Sequence, residues 1–323
     1  MHILLVNHSP IPVFAYGGTE RVIWDLGRAL VRAGHRVSYL VPEGSHCDFA
    51  EVHILQKDVS WEAQVPAGVD IAHFQFNPKA PLDFPHVVTQ HGNSSESVPL
   101  PRNTVFVSKN HAERHGSDAF VYNGLDWSSY GDVNWHTARS YFHFLGKAAW
   151  RVKNVQGAID IASAANVPLE VLGGDRINLK RGFRFTLSRR VKFHGMVGGD
   201  KKIHLLNSSR GLIFPTLWHE PFGLAVIESL YFGAPVFATP YGALPEIITP
   251  ECGVLSSSRA KLSDAVSHNQ FDPHACHARA LVFNSDTMAK DYLSIYKRVL
   301  NGESLNPTSP VLHGDIKHLP WTA

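Results

Sequence analysis

Cysteine and methionine are scarce, with three of each in 323 residues. The cysteines, Cys47, Cys252 and Cys276, give no disulfide framework, which excludes the disulfide-stapled secreted class and points to a reducing, cytoplasmic setting. No apolar run approaches the ~18 residues of a membrane-spanning helix. A basic leader is also missing: Met1-His2-Ile3-Leu4-Leu5-Val6-Asn7 runs from apolar residues straight into a turn and reads as a first strand. Neither sign of charge is in excess, since 30 Lys and Arg stand against 28 Asp and Glu. Gly-x-Gly-x-x-Gly, the phosphate-binding P-loop and Gly-x-Ser-x-Gly are absent, as is an Asp-x-Asp at a strand end. His274, Cys276 and His277 sit in a helical pattern without the paired spacing of a zinc site, so no metal is expected.

What is present describes a soluble globular chain, 44% hydrophobic and 18% charged, long enough for two domains with separate cores. The halves differ in charge. Residues 1–125 hold nine Lys and Arg against twelve Asp and Glu, which leaves 21 against 16 for the rest. The second half is therefore the one suited to hold an anion. Its basic residues concentrate between Arg176 and Lys192, where Arg176, Lys180, Arg181, Arg184, Arg189, Arg190 and Lys192 meet no acidic residue. A solvated face would look the same; an anionic membrane surface is a second reading, and no nucleic-acid motif accompanies the stretch.

The chain opens as strand, helix, strand. After residues 3–7 comes a loop ending in Gly17-Gly18-Thr19, then Val22, Ile23, Leu26, Ala29, Leu30 and Ala33 mark one helix face up to Gly34, and 36–41 is again apolar. A βαβ opening implies a parallel sheet. Further strands are expected at 69–74, 86–90, 104–108 and 119–122, with a short helix at 109–115. A domain boundary is expected in the polar stretch 124–140. The second domain opens with a strand over 141–147 and a helix to Ala165, followed by strands at 168–172 and 190–194 and a helix at 203–207. Helices at about 259–268, 273–282 and 285–300 follow, and the tail from Asn301 reads as loosely packed.

The chain is organised around Trp218-His219-Glu220-Pro221-Phe222-Gly223-Leu224-Ala225-Val226-Ile227-Glu228-Ser229, set between two apolar strands. A strand, a Pro/Gly turn and a helix place Glu220 in the loop, backbone N–H groups of Phe222, Gly223 and Leu224 at the helix start, and Glu228 about two turns in. Carboxylates accept hydrogen bonds from vicinal hydroxyls, and a helix N-terminus attracts an anion, so this stretch suits a sugar and a phosphate.

Glu-Pro-Phe-Gly-Leu with a second Glu eight positions on resembles the E-x7-E signature of retaining glycosyltransferases of family 4. Other segments resemble the same family: the Gly17-Gly18 loop, Thr89-Gln90-His91-Gly92, and the pair Lys147 and Lys153, which matches the family's diphosphate clamp with Lys147 in place of Arg and Asn154 in place of Gly. The resemblance implies an α/β chain of two Rossmann-like domains facing across a cleft, the GT-B arrangement. It divides the chain into an acceptor-side domain at 1–125, a nucleotide-sugar domain at 126–285, and a helix crossing back plus tail at 286–323.

It further implies transfer of a sugar from a nucleotide diphosphate sugar, taken as UDP-linked, to a hydroxyl with retention and without metal or cofactor. In that reading Lys147 and Lys153 stabilise the leaving diphosphate, Glu220 orients the sugar and Glu228 the ribose, and His91 reaches the sugar's far side. Gly17, Gly18, Met196, Phe222, Gly223 and Leu224 line the donor. The acceptor is a carbohydrate, a lipid-linked or a small hydroxyl compound; nucleic acid is not a partner, and peripheral contact with the inner membrane face stays open. A sugar-nucleotide epimerase of the same fold and a catalytically silent nucleotide-sugar-binding protein are the rival readings.

Overall fold

The computed structural model describes residues 1–13, 18–80, 82–93, 98–179, 184–313 and 319–322. It forms two compact units, one of Met1–Val13, Gly17–Ser129 and Phe283–Gly314 and the other mainly of Tyr130–Val282.

The first unit is built on a six-stranded parallel sheet of β1 (His2–Val6), β2 (Arg36–Val41), β3 (Glu51–Ile54), β4 (Ile71–Phe74), β5 (His86–Gln90) and β6 (Thr104–Phe106), in the order β3-β2-β1-β4-β5-β6. The β1 and β4 side chains are wholly buried, which is why these strands read as continuous apolar runs. Helix α1 (Gly18–Arg32) buries Val22, Ile23, Leu26, Ala29 and Leu30. Gly34, at φ +83°, ends it in the left-handed conformation. Helices α2 (Trp61–Gln64) and α3 (Lys109–Glu113) are short and capped by the hydroxyls of Ser60 and Ser108.

The second unit repeats the plan. Its main sheet contains β7 (Tyr141–Leu145), β8 (Leu169–Leu172), β11 (Val191–Phe193), β12 (Ser209–Phe214), β13 (Val236–Ala238) and β14 (Gly253–Leu255) in the order β11-β8-β7-β12-β13-β14, again parallel. A separate antiparallel ribbon, β9 (Ile177–Asn178) and β10 (Arg184–Phe185), lies between β8 and β11 in the chain. Helices α4 (Val155–Ala164), α5 (Gly199–Asn207), α6 (Leu224–Tyr231), α7 (Leu244–Ile247), α8 (Arg259–Ser267) and α9 (Pro273–Leu281) complete the unit. Counted within each unit, both sheets have strand order 3-2-1-4-5-6, the doubly wound order in which ligands bind beyond the strand ends where the winding reverses. Those points are the C-terminal ends of β1 and β4 in the first unit and of β7 and β12 in the second.

Helix α10 (Ser285–Leu300) belongs to the first unit. Its Tyr296 hydroxyl lies 2.7 Å from His73 Nδ1 and its Tyr292 hydroxyl 2.8 Å from Thr89 Oγ1, while His73 Nε2 and Thr89 Oγ1 are 2.6 Å apart. This closed network satisfies every member in a dry core, so the tyrosines cost little to bury.

Four local expectations are corrected. The segment 119–122 makes only an isolated bridge, Phe106 to Phe120, and no strand. The strand β3, half-exposed at the sheet edge, lacks the apolar run that would reveal it. Helix α6 begins at Leu224, so Glu228 lies just over one turn in. The tail is docked through residue 313: Asn306 is buried, its Nδ2 donates to the carbonyls of Arg102 and Thr104 at 2.7 and 2.9 Å, and its Oδ1 accepts from Ser117 Oγ at 2.5 Å.

Candidate active site

The loops after β7 and β12 meet at the second unit's reversal point. They are tied together by the Val152 carbonyl, which accepts from Leu217 N at 2.7 Å and Thr216 Oγ1 at 3.0 Å, and by Asn154 Nδ2 on the Pro215 carbonyl at 2.9 Å. Asn154 is left-handed, at φ 51° and ψ 50°, and its Oδ1 caps α4 by accepting from Gly157 N at 3.0 Å. Glycine is the usual residue for that conformation and asparagine the next best, so the departure at 154 preserves the backbone and adds a cap.

This turn delivers Lys153 to Glu220. The two form an ion pair, Nζ to Oε2 at 2.7 Å, with side chains 12% and 8% exposed. Trp218 Nε1 donates to the same oxygen at 2.6 Å, and Lys153 Nζ lies 4.5 Å from the Trp218 ring centre. Glu220 is held from behind: its carbonyl accepts from Ala243 N at 2.9 Å, and a Cβ on Gly242 (φ +68°) would fall 2.2 Å from that same oxygen. Lys147 sits on the adjoining turn, its carbonyl accepting from Trp150 N at 2.9 Å and its Nζ 5.2 Å from the Trp150 ring. Trp150 in turn meets Trp218 edge-on at 6.1 Å.

Phe222 and Gly223 lead from Glu220 into α6. Gly223 caps the helix at φ +108°, and its carbonyl accepts from Val226 N at 2.9 Å. Leu224 is the first helical residue, so the helix's positive end lies four residues beyond Glu220 in the chain. Glu228 is buried on α6. Its Oε1 accepts from Lys202 Nζ at 2.6 Å and from the Tyr130 hydroxyl at 2.5 Å. The Lys202 ammonium also lies 5.3 Å from the Tyr130 ring. Neither residue stands out by motif. Lys202 does carry a signal, because Leu205 and Leu206 follow it at the spacing of one buried helix face, where an unpaired ammonium would be costly.

Met196 is 46% exposed beside Gly195, which is bonded to the glycines after β8 through Gly173 N to Gly195 O at 2.7 Å. In the first unit, Gly18 opens α1, and Gly17 lies outside the described residues. His91 follows β5, and its Nε2 lies 2.8 Å from Oε1 of Gln75, the residue after β4. Burial drives its pKa down to about 4, so the ring is neutral near pH 7.

Among the described residues, no group of three or more His, Cys, Asp and Glu could hold a metal ion. Cys276 is buried, with its pKa pushed up to about 12 chiefly by desolvation. His277 Nδ1 is engaged by the Tyr231 carbonyl at 2.5 Å and His274 lies on Trp135 with ring centres 4.2 Å apart. Among the described residues, no helix is long and apolar enough to cross a membrane.

Residues 139–268 match the family model described as glycosyl transferases group 1. No curated protein sequence matches the chain. Among solved structures, AviGT4, a glycosyltransferase involved in avilamycin A biosynthesis, is similar with a TM-score of 0.74 at 18% identity, covering 93% of this chain and 98% of that one. Sucrose-phosphate synthase from Thermosynechococcus elongatus gives 0.70 at 17%, covering 94% and 100%. Anabaena Alr3699/HepE, solved in complex with UDP-glucose, gives 0.62 at 15%, covering 92% and 99%. The fold is the GT-B fold of these glycosyltransferases, and most of the second unit matches the group 1 glycosyl transferase model.

Proposed function

We propose that the protein transfers a sugar from a UDP-linked donor to an acceptor hydroxyl with retention of anomeric configuration and without a divalent metal, as retaining enzymes of family 4 do. The observation that carries this reading is the Lys153–Glu220 pair at the reversal point, immediately before the N-terminus of α6. The bond from the sugar's anomeric carbon to the β-phosphate oxygen breaks, and the bond to the acceptor oxygen forms on the same face. The acceptor's proton passes to the departing diphosphate, whose charge is met by Lys147, Lys153 and the helix N-terminus at Gly223.

Glu220 orients the sugar hydroxyls and Glu228 takes the ribose, with Lys202 and Tyr130 holding its carboxylate in place. Met196, Phe222 and Leu224 are the adjoining donor contacts, and Gly17 and Gly18 the backbone approach from the first unit. His91 is the first unit's contact to the sugar. A pKa near 4 makes it a weak base at neutral pH, which favours retention over a displacement that would need a base. The choice of UDP is supported by the UDP-glucose bound to Alr3699/HepE, the similar structure named above. Free cysteines at 47, 252 and 276 suit a reducing cytoplasmic site of action, and the acceptor is a carbohydrate, a lipid-linked or a small hydroxyl compound.

The test is incubation with a panel of UDP-sugars and hydroxyl acceptors in excess chelator, with NMR assignment of the product's anomeric centre. Release of UDP with a retained product is expected. Loss of turnover in chelator, an inverted product, or interconversion of the sugar with the nucleotide still attached would overturn the mechanism.

A further inference from the structure

Between β8 and β11 the second unit makes an excursion that its sheet does not require. In this antiparallel ribbon β9 and β10 pair Arg184 with Asn178 and Phe185 with Ile177. Residues two apart in extended chain share a face, so Ile177, Leu179, Phe185 and Leu187 stand together. Their exposures are 56%, 76%, 49% and 80%. The opposite side is polar and turned inward: Thr186 is buried, and the Arg176 guanidinium donates to the carbonyls of Thr186, Ser188 and Val191 at 2.6, 3.0 and 2.5 Å. A surface ribbon ordinarily hides its apolar face. This one is inverted, and Arg176 clamps it that way.

Within the stretch 176–192 the charge has one sign. Seven basic residues and no acidic one fall between 176 and 192, and Arg189, Arg190 and Lys192 are exposed. Arg190 also bonds Asn166, and Lys192 approaches Glu170 at 3.4 Å.

We propose that the ribbon is a membrane-docking element, setting its four apolar side chains into the interface of an anionic bilayer while the flanking cations meet lipid phosphates. Four side chains fall well short of the ~20–30 residues a side of a stable protein interface. A few inserted apolar groups beside a basic cluster do suffice for reversible membrane binding, because the two attractions add. A second copy of this chain on the same face would set like charges against one another. The sugar-transfer reading uses none of these residues, so the two stand or fall separately.

The full chain is sedimented with vesicles of mixed phosphatidylglycerol and phosphatidylcholine and with phosphatidylcholine vesicles alone. Binding to the anionic vesicles is expected to be on the order of 10-fold or more stronger and to weaken with salt. The double substitution Leu179→Ser/Leu187→Ser is expected to reduce it by a similar factor, and Leu179→Phe/Leu187→Phe to keep it. Arg189→Glu/Lys192→Glu is expected to abolish the preference for anionic lipid. All four positions changed are exposed, and an unaltered melting temperature accompanies the serine and phenylalanine variants. Absence of binding to anionic vesicles, undiminished binding of the serine variant, or a self-associated species in sedimentation velocity that the serine variant dissolves would overturn the proposal.

Discussion

Lys153 Nζ lies 2.7 Å from Glu220 Oε2 in a pair whose side chains are almost entirely removed from water. Neither charge has solvent to fall back on. Removing one partner leaves the other desolvated and alone, whereas removing both removes the problem. Lys153→Ala is therefore expected to cost about 3–5 kcal/mol of stability. The double variant Lys153→Ala/Glu220→Ala should lose less than the sum of the singles, by about 1–3 kcal/mol. Urea denaturation of the four proteins measures this, and additive losses would show that the pair does not act as one unit. Turnover of Lys153→Ala should fall on the order of 10²-fold or more, as for a lost electrostatic stabiliser, and unchanged turnover would remove Lys153 from the leaving-group role.

A second expectation concerns Glu228, whose Oε1 is shared by Lys202 and Tyr130. Glu228→Ala should weaken UDP binding by roughly 1.5–3 kcal/mol, the scale of a charged hydrogen bond, while Glu220→Ala spares it. Tyr130→Phe removes one donor and should cost about 0.5–1.5 kcal/mol. Calorimetric titration with UDP orders the variants; a larger loss in Glu220→Ala than in Glu228→Ala would reverse the two roles.

The fold was legible because both sheets are parallel and covered, so their strands carry uninterrupted apolar runs such as 3–6 and 211–214 with turn residues between. Helix α10 was legible to the residue from its apolar face, Met288, Tyr292, Ile295, Tyr296 and Val299. Edge elements were not, since β3 is half-exposed and has no pattern to show. In the site, residues on the two reversal loops could be read from their order along the chain. Lys202 and Tyr130 could not, because they reach Glu228 from a helix and a turn 26 and 98 residues away in sequence. The docked tail escaped for a related reason. Its hold is a set of backbone bonds to residues 100–115 with the buried Asn306 as side-chain pin, and polar pinning leaves no periodic trace.

That pin gives a third expectation. Asn306 is buried, donates twice to backbone carbonyls, and accepts from Ser117. Asn306→Ala would take a donor from the Thr104 carbonyl and the acceptor from the Ser117 hydroxyl, at about 1–3 kcal/mol for each buried group left without a partner, while the Arg102 carbonyl keeps its bond from the residue 306 backbone N–H. Partial relaxation lowers the sum, and a loss of about 2–4 kcal/mol is expected. Limited proteolysis should then cut the stretch from 301 to 313 well before the wild type is cut there. Equal protection of the stretch in both proteins would show that Asn306 does not hold it.

The last expectation follows from Asp25, buried on α1, where its carboxylate accepts from Asp126 N at 2.9 Å. Desolvation pushes its pKa up to about 6; the negative Asp126 carboxylate adds to the rise, and the hydrogen bond from Asp126 N and the positive charges of Arg21 and Arg28 oppose it. In the unfolded chain it would titrate near 3.9. From about pH 4 to 6 the native state thus keeps a proton that the unfolded state has released, so this group's contribution to stability falls as pH rises and the full penalty is present above about pH 6. Asn retains the acceptor for Asp126 N–H and cannot ionise. Asp25→Asn should therefore be more stable than the wild type by about 1–3 kcal/mol at pH 8, with the gain shrinking towards zero at pH 4. The buried histidines act in the opposite sense. Burial holds His73 and His143 near 3 and His91 near 4, so below about pH 6.5 the unfolded chain takes up protons that the native state refuses. In the wild type these effects oppose each other between pH 4 and 6, and without Asp25 the loss of stability on acidification should be steeper. Urea midpoints of both proteins from pH 4 to 8 decide it: a gain of equal size at both ends of the range would show that Asp25 is not the group that titrates.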